Sequence, residues 1–245
     1  MLTAVNQSGI QILARDADKC QGYVCPMCKD AVILKKGRIK IPHFAHHPSS
    51  QCSYGTGESA EHYTAKLIIH DWLALYKVPS RIEYPTSYGS RPDVYLRWKP
   101  LQGLTYTSMA VEIQKSCLSI DDSRSRTCKY FNNNTFPLWL VLEGKIDINT
   151  ADRITYTPWL AYLDRVYRRG VFYITPTGKI HIVRFDKHWL HKSEYTDRDG
   201  TSYGGYDYES TRWRTPKIIE TFKDPYFLLS ALFKNPENYL CSWNI

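Results

Sequence analysis

The sequence predicts an α/β chain fronted by a small metal-held module, and three observations carry that expectation. Helix-patterned and strand-patterned segments alternate between residues 57 and 145. Four of the seven cysteines (Cys20, Cys25, Cys28, Cys52) and three histidines (His43, His46, His47) crowd into the first 52 residues. Residues 146–245 mix helix, hairpin and polar stretches into an α+β region without a recognisable motif. The expected organisation is a module over 1–56, a core over 57–145 and a C-terminal region of unassigned role over 146–245.

In the module, Cys25-Pro26-Met27-Cys28 spaces two thiolates so that both can approach one tetrahedral ion at about 2.3 Å. The segment His43-Phe44-Ala45-His46 and then Cys52 follow. Clustering of this kind points to metal more than to a disulfide framework. Strand alternation sends His43 and Ala45 to one side and Phe44 and His46 to the other. The preferred zinc set is therefore Cys25, Cys28, His46 and Cys52, with His43 as the substitute. The site would be structural, because about fifty residues bury too little surface to fold unaided. The competing reading is a chance pair of cysteines beside surface histidines. Cys117, Cys128 and Cys241 are scattered and read as small hydrophobes.

Residues 57–77 carry Ala65, Ile68, Trp72 and Leu75 at helical spacing, an amphipathic helix. Val94, Leu96 and Trp98 alternate with polar residues, as do Met109, Val111 and Ile113, so two strands are expected, joined by a turn at KPLQG. A second helix runs from its Ser119 cap to about Phe131, with Asp121 and Asp122 in its first turn, and ends at Asn132-Asn133-Asn134. Pro137 to Glu143 reads as a buried strand. Thr157-Pro158 starts a short helix closing at Gly170, and Val171 to Thr175 with Lys179 to Phe185 form a hairpin. Lys192 to Lys217 reads as a long polar loop, and Asp224-Pro225 caps a last apolar helix.

Asp93 opens one predicted strand, and Glu112 and Gln114 share a face of its neighbour. Two carboxylates brought together repel each other unless they share a cation, which suits Mg²⁺ or Mn²⁺ with room for water and phosphate. Glu61 lies on the helix face running through Ala65, Ile68 and Trp72 and is a third candidate oxygen donor, with Glu58 one turn earlier. The alternative is that these acids are simply solvated.

Taken together, CPMC, PHFAH, ESAEHYTAK, RPDV and VEIQKS resemble the CoiA-like competence family, a branch of the PD-(D/E)XK nuclease superfamily, over about residues 20–145. The resemblance implies a restriction-endonuclease-like core acting on DNA during uptake and recombination in competent bacteria, with recombination proteins as candidate partners. It also implies that Asp93 and Glu112 bind metal, that Glu61 is the helix acid, and that Gln114 occupies the place of the usual lysine. Glutamine orients water but supplies no charge. Lys115 faces the other way, so Lys66, Arg124, Arg126 and Lys129 are the candidates to supply it; they read equally as solvated charges or phosphate contacts.

The formal charge of +8 favours a polyanionic partner, and the module is the most basic part per residue, with seven basic against three acidic side chains over residues 1–56. Ordinary composition excludes wholesale disorder and collagen-like chains, and no apolar run spans a membrane, so a cytoplasmic protein is expected. Aromatic residues beside arginines, as at Tyr167 and Trp213, suit stacking on unpaired bases, although Tyr167 and Trp159 also fit core positions. The readings in competition are a metal-dependent DNA endonuclease, a non-catalytic DNA-binding adaptor, and a zinc-stabilised protein-interaction module.

Overall fold

In the computed structural model, residues 1–55, 57–97, 106–115, 118–144, 147–224, 227, 228 and 232 are described. The expected KPLQG turn, Trp98, Cys117, Cys241 and most of the last apolar helix lie outside them.

The front of the chain forms a five-stranded antiparallel sheet from β1 (Thr3–Asn6), β2 (Gln11–Leu13), β3 (Tyr23–Val24), β4 (Ala31–Lys35) and β5 (His43–His46), in the order β2-β1-β3-β4-β5. Alternation in β5 buries Phe44 against Tyr23, with ring centroids 5.0 Å apart. Of the side chains in this small core, Ala4, Ala14 and Ala17 bury little area each, so apolar burial alone holds the module weakly.

Next come α1 (Ala60–Leu75), β6 (Ser80–Ile82), β7 (Val94–Arg97), β8 (Ser108–Gln114), α2 (Ile120–Phe131) and β9 (Thr135–Leu142). Then follow β10 (Ile154–Thr155), α3 (Pro158–Val166), β11 (Val171–Ile174), β12 (Ile180–Lys192), β13 (Tyr195–Thr196), β14 (Ser202–Tyr203) and β15 (Tyr206–Phe222). Eight of these strands make one mixed sheet in the order β10-β15-β12-β11-β9-β8-β7-β6. β7 and β8 are antiparallel, with Val94 opposite Val111, and β8 and β9 are parallel, which requires the α2 crossover between them. β9 is buried throughout and β8 nearly so, as expected of central strands covered on both faces.

Three expectations need correction. The buried stripe of α1 is Ala65, Lys66, Ile69 and Leu73, rotated from the expected one, and Leu75 is exposed. Ile68 and Trp72 instead meet the turn between β11 and β12 at Gly178, where φ is +86° and an added Cβ would sit 2.5 Å from Ile68. α3 stops at Val166, before Gly170, because Tyr167 turns extended. Its buried hydroxyl donates to the Pro137 carbonyl (3.1 Å) and accepts from the Trp139 N–H (2.8 Å). The supposed loop over 192–217 is largely strand: β15 pairs with β12 along a ladder from Ile180–Phe222 to Lys192–Tyr206. The outer end of that ladder, from Leu190–Tyr208 to Lys192–Tyr206, is largely exposed, so backbone pairing there leaves little apolar alternation in the sequence.

Candidate metal centre and acid cluster

In the module, Cys25, Cys28, His46 and Cys52 bring one ligand atom each to within 4.8 Å of one another. The Cys25 carbonyl accepts from the Lys29 N–H, and the Met27 N–H reaches the Cys25 sulfur at 3.4 Å, so the turn is closed around the thiol. β4 sets Val32 opposite His46, whose Nε2 lies 3.4 Å from the Cys28 sulfur. His43 points elsewhere; its Nδ1 meets the Ile41 carbonyl at 2.8 Å and its ring stacks on Tyr63. Lost hydration, together with the neighbouring Cys52 and Cys25 sulfurs, pushes the Cys28 thiol up to about 12 against an opposing Asp30 backbone hydrogen bond. Three thiols and an imidazole this close fit a divalent ion, because coordination deprotonates a thiol outright.

The second cluster forms where α1 crosses the start of β7. Ser59 caps α1 by accepting from the His62 N–H at 3.3 Å, which sets Glu58, His62 and Lys66 one turn apart on one stripe. Lys66 is fully buried, and its Nζ lies 2.9 Å from Glu58, 3.1 Å from Glu83 and 2.9 Å from Asp93. Burial would lower its pKa, but Asp93, Glu83 and Glu58 more than reverse that and hold it charged. Asp93 also accepts from the Ile113 N–H at 2.8 Å and meets His62 Nε2 at 3.1 Å. Burial would raise its carboxyl; Lys66, then His62 and the Ile113 N–H, hold it well below the usual range. The ligand atoms of Glu58, His62 and Asp93 fall within 4.8 Å of one another, and Glu58 Oε2 is buried without a hydrogen-bond partner among the described residues. That orphaned oxygen fits a cation.

Extending the register, Glu112 falls opposite Asp93. It accepts a short hydrogen bond from the Tyr130 hydroxyl and lies 3.5 Å from Arg126 Nη1. Burial first, and the Asp93 charge second, push its carboxyl up to about 7, with Arg126 and Tyr130 opposing. Asp93 and Glu112 are thus coupled electrostatically, while the close ligand group gathers around Asp93. Glu61 departs from the expected geometry: it is exposed, pairs with Lys115 at 3.4 Å, and is held below its usual value by its own backbone N–H and by Ser59. It sits in the first turn behind the Ser59 cap; Glu58 is the acid that turns inward. Gln114 is half-buried at the end of β8, and of the candidate cations Lys66 and Arg126 reach carboxylates while Arg124 and Lys129 are exposed.

Sequence reasoning missed Glu83, His62 and Tyr130. Glu83, at φ +52° and 1% exposed, accepts from the Leu2 N–H (3.0 Å) and from Thr3 Oγ1 (3.3 Å) besides Lys66, tying the module to the acid cluster. The Arg91 guanidinium lies 3.9 Å from the Tyr54 ring centroid, which fastens the residues before Asp93 to the module as well. The usable signal was the spacing 58-62-66, and a lysine sharing a helical stripe with Ile69 and Leu73, which cannot be buried without acids to meet it. Between module and α1 lies a cavity of about 630 Å³, lined by Lys40, His43, His47, Cys52, Glu58 and Tyr63 among others.

The fold is thus a mixed α/β sheet carrying a half-buried carboxylate cluster, with a small sheet in front whose thiols and imidazole could hold a metal. Residues 7–55 match the N-terminal domain of competence protein CoiA, and residues 58–196 match the nuclease-like domain of competence protein CoiA. The chain belongs to the CoiA family. It is 30% identical over 125 residues to competence protein CoiA of Bacillus subtilis (strain 168), across 50% of this chain and 32% of that protein. It is 38% identical over 88 residues to Druantia protein DruB of Escherichia coli (strain UMEA 4076-1), across 34% of this chain and 15% of that one. The matched part thus spans about a third or less of these relatives' lengths. No solved structure matches. No helix among the described residues is long and apolar enough to cross a membrane.

Proposed function

We propose that the chain is a divalent-metal-dependent DNA endonuclease with a restriction-endonuclease-like core over residues 57–145 and a structural zinc module over 1–56. The observation that carries the reading is the half-buried group of Glu58, His62 and Asp93, with Glu112 coupled to it, and the orphaned Glu58 oxygen within it. Asp93, Glu58 and His62 would hold Mg²⁺ or Mn²⁺, which supplies an activated water and neutralises phosphate charge. Lys66 holds Asp93 and Glu83 ionised, keeps Glu58 in place, and provides from the helix the positive charge that Gln114 lacks. Glu112, pushed up to about 7, can accept or release a proton near neutral pH. Glu61 sits in the first turn of α1 and does not enter the chemistry. Cys25, Cys28, His46 and Cys52 are the zinc ligands, and the basic module flanks the cavity that leads to Glu58.

The relative named as a competence protein supports a role in competence; in our reading that role is cytoplasmic, in DNA uptake and recombination, with recombination proteins as partners. A second reading, a non-catalytic DNA-binding adaptor, is favoured by one observation: the Lys66 ammonium already lies 2.9 Å from both Glu58 and Asp93. The deciding experiment is cleavage of single- and double-stranded DNA in Mg²⁺ or Mn²⁺ by wild type and Asp93→Ala. Metal-dependent cleavage that Asp93→Ala loses supports the nuclease; intact binding with no cleavage of any DNA form leaves the adaptor.

A further inference from the structure

A second cleft lies beside β6 and β7. It encloses about 440 Å³, and its charged lining residues are Arg81 and Arg97, with no acid. Its aromatic residues are Tyr84, Tyr88 and Tyr95. Tyr84 and Tyr95 stack with centroids 5.2 Å apart and planes at 18°, and the Arg81 guanidinium covers Tyr84 at 4.8 Å from its centroid. The rings are half-buried and both arginines are exposed, so a flat apolar surface is framed by cations. Opposite Tyr95 across the strand pair is Ala110, too small to cover the ring.

The cleft is joined to the acid cluster by short paths. Tyr95 follows Asp93 by two residues, about 7 Å along an extended strand. Ala110 precedes Glu112 by two on the adjacent strand, and Tyr88 packs edge-on against Tyr130, the hydrogen-bond partner of Glu112. A stacking surface one nucleotide's reach from a buried carboxylate group, with cations to meet phosphates, has the chemistry of a subsite for an unpaired base. A proline-rich peptide would use the rings but gives no reason for two arginines and no acid.

We propose that this cleft binds an unpaired nucleobase of a single DNA strand, with Tyr95 and Tyr84 stacking and Arg81 and Arg97 contacting phosphates. The proposal rests on the reading that the chain acts on DNA, and it assigns single-stranded DNA, or the frayed end of a duplex, as the form that is held.

The test is anisotropy of a labelled oligothymidylate with the full chain in Ca²⁺ without Mg²⁺, so that binding is read apart from cleavage. Tyr95→Leu should weaken binding by roughly tenfold, the lower part of the range for losing one stacked base, while Tyr95→Phe retains it. Should Tyr95→Leu fail to fold, the double change Arg81→Ala, Arg97→Ala at exposed positions should flatten the salt dependence by about two phosphate contacts. Blunt duplex binding should change much less in each variant. Wild-type affinity for oligothymidylate in both Tyr95→Leu and the double variant, or competition by a proline-rich peptide but not by single-stranded DNA, would overturn the proposal. If wild type binds single strands and these variants match it, the cleft is refuted while the nuclease reading stands; if wild type neither binds nor cleaves any DNA, both fall.

Discussion

The thiol cluster and the acid cluster both gather potential ligands within 4.8 Å, yet they are in opposite electrostatic states. The acid cluster contains its own cation: Lys66 is fully buried and meets three carboxylates, of which Glu83 is buried and Glu58 and Asp93 are half-buried. In the thiol cluster the ligand set is three thiols and an imidazole, and the Cys28 thiol is pushed up to about 12. A ligand-rich motif therefore does not by itself announce a resident ion. A cluster lacking its own counter-charge depends on a metal to hold its shape, whereas one neutralised from within keeps its shape without one.

That contrast can be broken most forcefully at the module. Stripping zinc, or Cys25→Ser, should unfold residues 1–55 while leaving the large sheet folded, since structural zinc contributes about 10 kcal/mol or more in small modules. Exchange of backbone amides in β1 to β5 against those in β8 and β9 reads this directly; equal protection of the module with and without metal would remove the distinction.

Lys66→Met is the counterpart in the acid cluster. Removing the cation leaves Glu58, Glu83 and Asp93 buried against each other, so a loss of about 3–5 kcal/mol is expected, partly restored by millimolar Ca²⁺ or Mg²⁺. Calorimetric midpoints with and without the ion check it. A midpoint at the wild-type value would mean that Lys66 does not neutralise the cluster.

Glu112 gives a smaller, pH-dependent effect. Its folded-state value, about 7, lies above the unfolded 4.5, so folding favours the protonated form. That contribution is fully present below 4.5 and is lost as pH rises through about 7. Glu112→Gln should therefore gain on wild type by about 3 kcal/mol between these limits, read as the difference in denaturant midpoints across a pH series. A difference that does not change with pH would place Glu112 in a different environment. Smallest of all, Glu61→Gln should leave cleavage unchanged and lower the midpoint slightly, because the residue is an exposed acid in the first turn of a helix. Loss of cleavage in that variant would restore Glu61 to the chemistry.

Much of this arrangement was legible in the sequence where a local rule sufficed. The helix starts at Ser119 and Thr157, the β7–β8 pair, and His46 rather than His43 in the thiol group all follow from periodicity or side-chain geometry. What was not legible depended on tertiary contact. The stripe of α1 is rotated because a lysine, not an apolar residue, occupies its most buried position, and no periodicity scale assigns a lysine to a core. Glu83 gained its role only when the module's first strand docked beside it. β15 was hidden because its first half, Tyr206 to Arg212, is polar and largely exposed, so backbone pairing with β12 holds it with little apolar alternation to read.

The most direct test of the contrast is elemental analysis of wild-type, Cys25→Ser and Asp93→Asn proteins purified without added metal. One zinc per chain is expected in wild type and in Asp93→Asn, none in Cys25→Ser, and no stoichiometric magnesium or manganese in any of them. Zinc absent from wild type, retained by Cys25→Ser, or lost with Asp93→Asn would contradict the assignment of the resident ion to the thiol cluster.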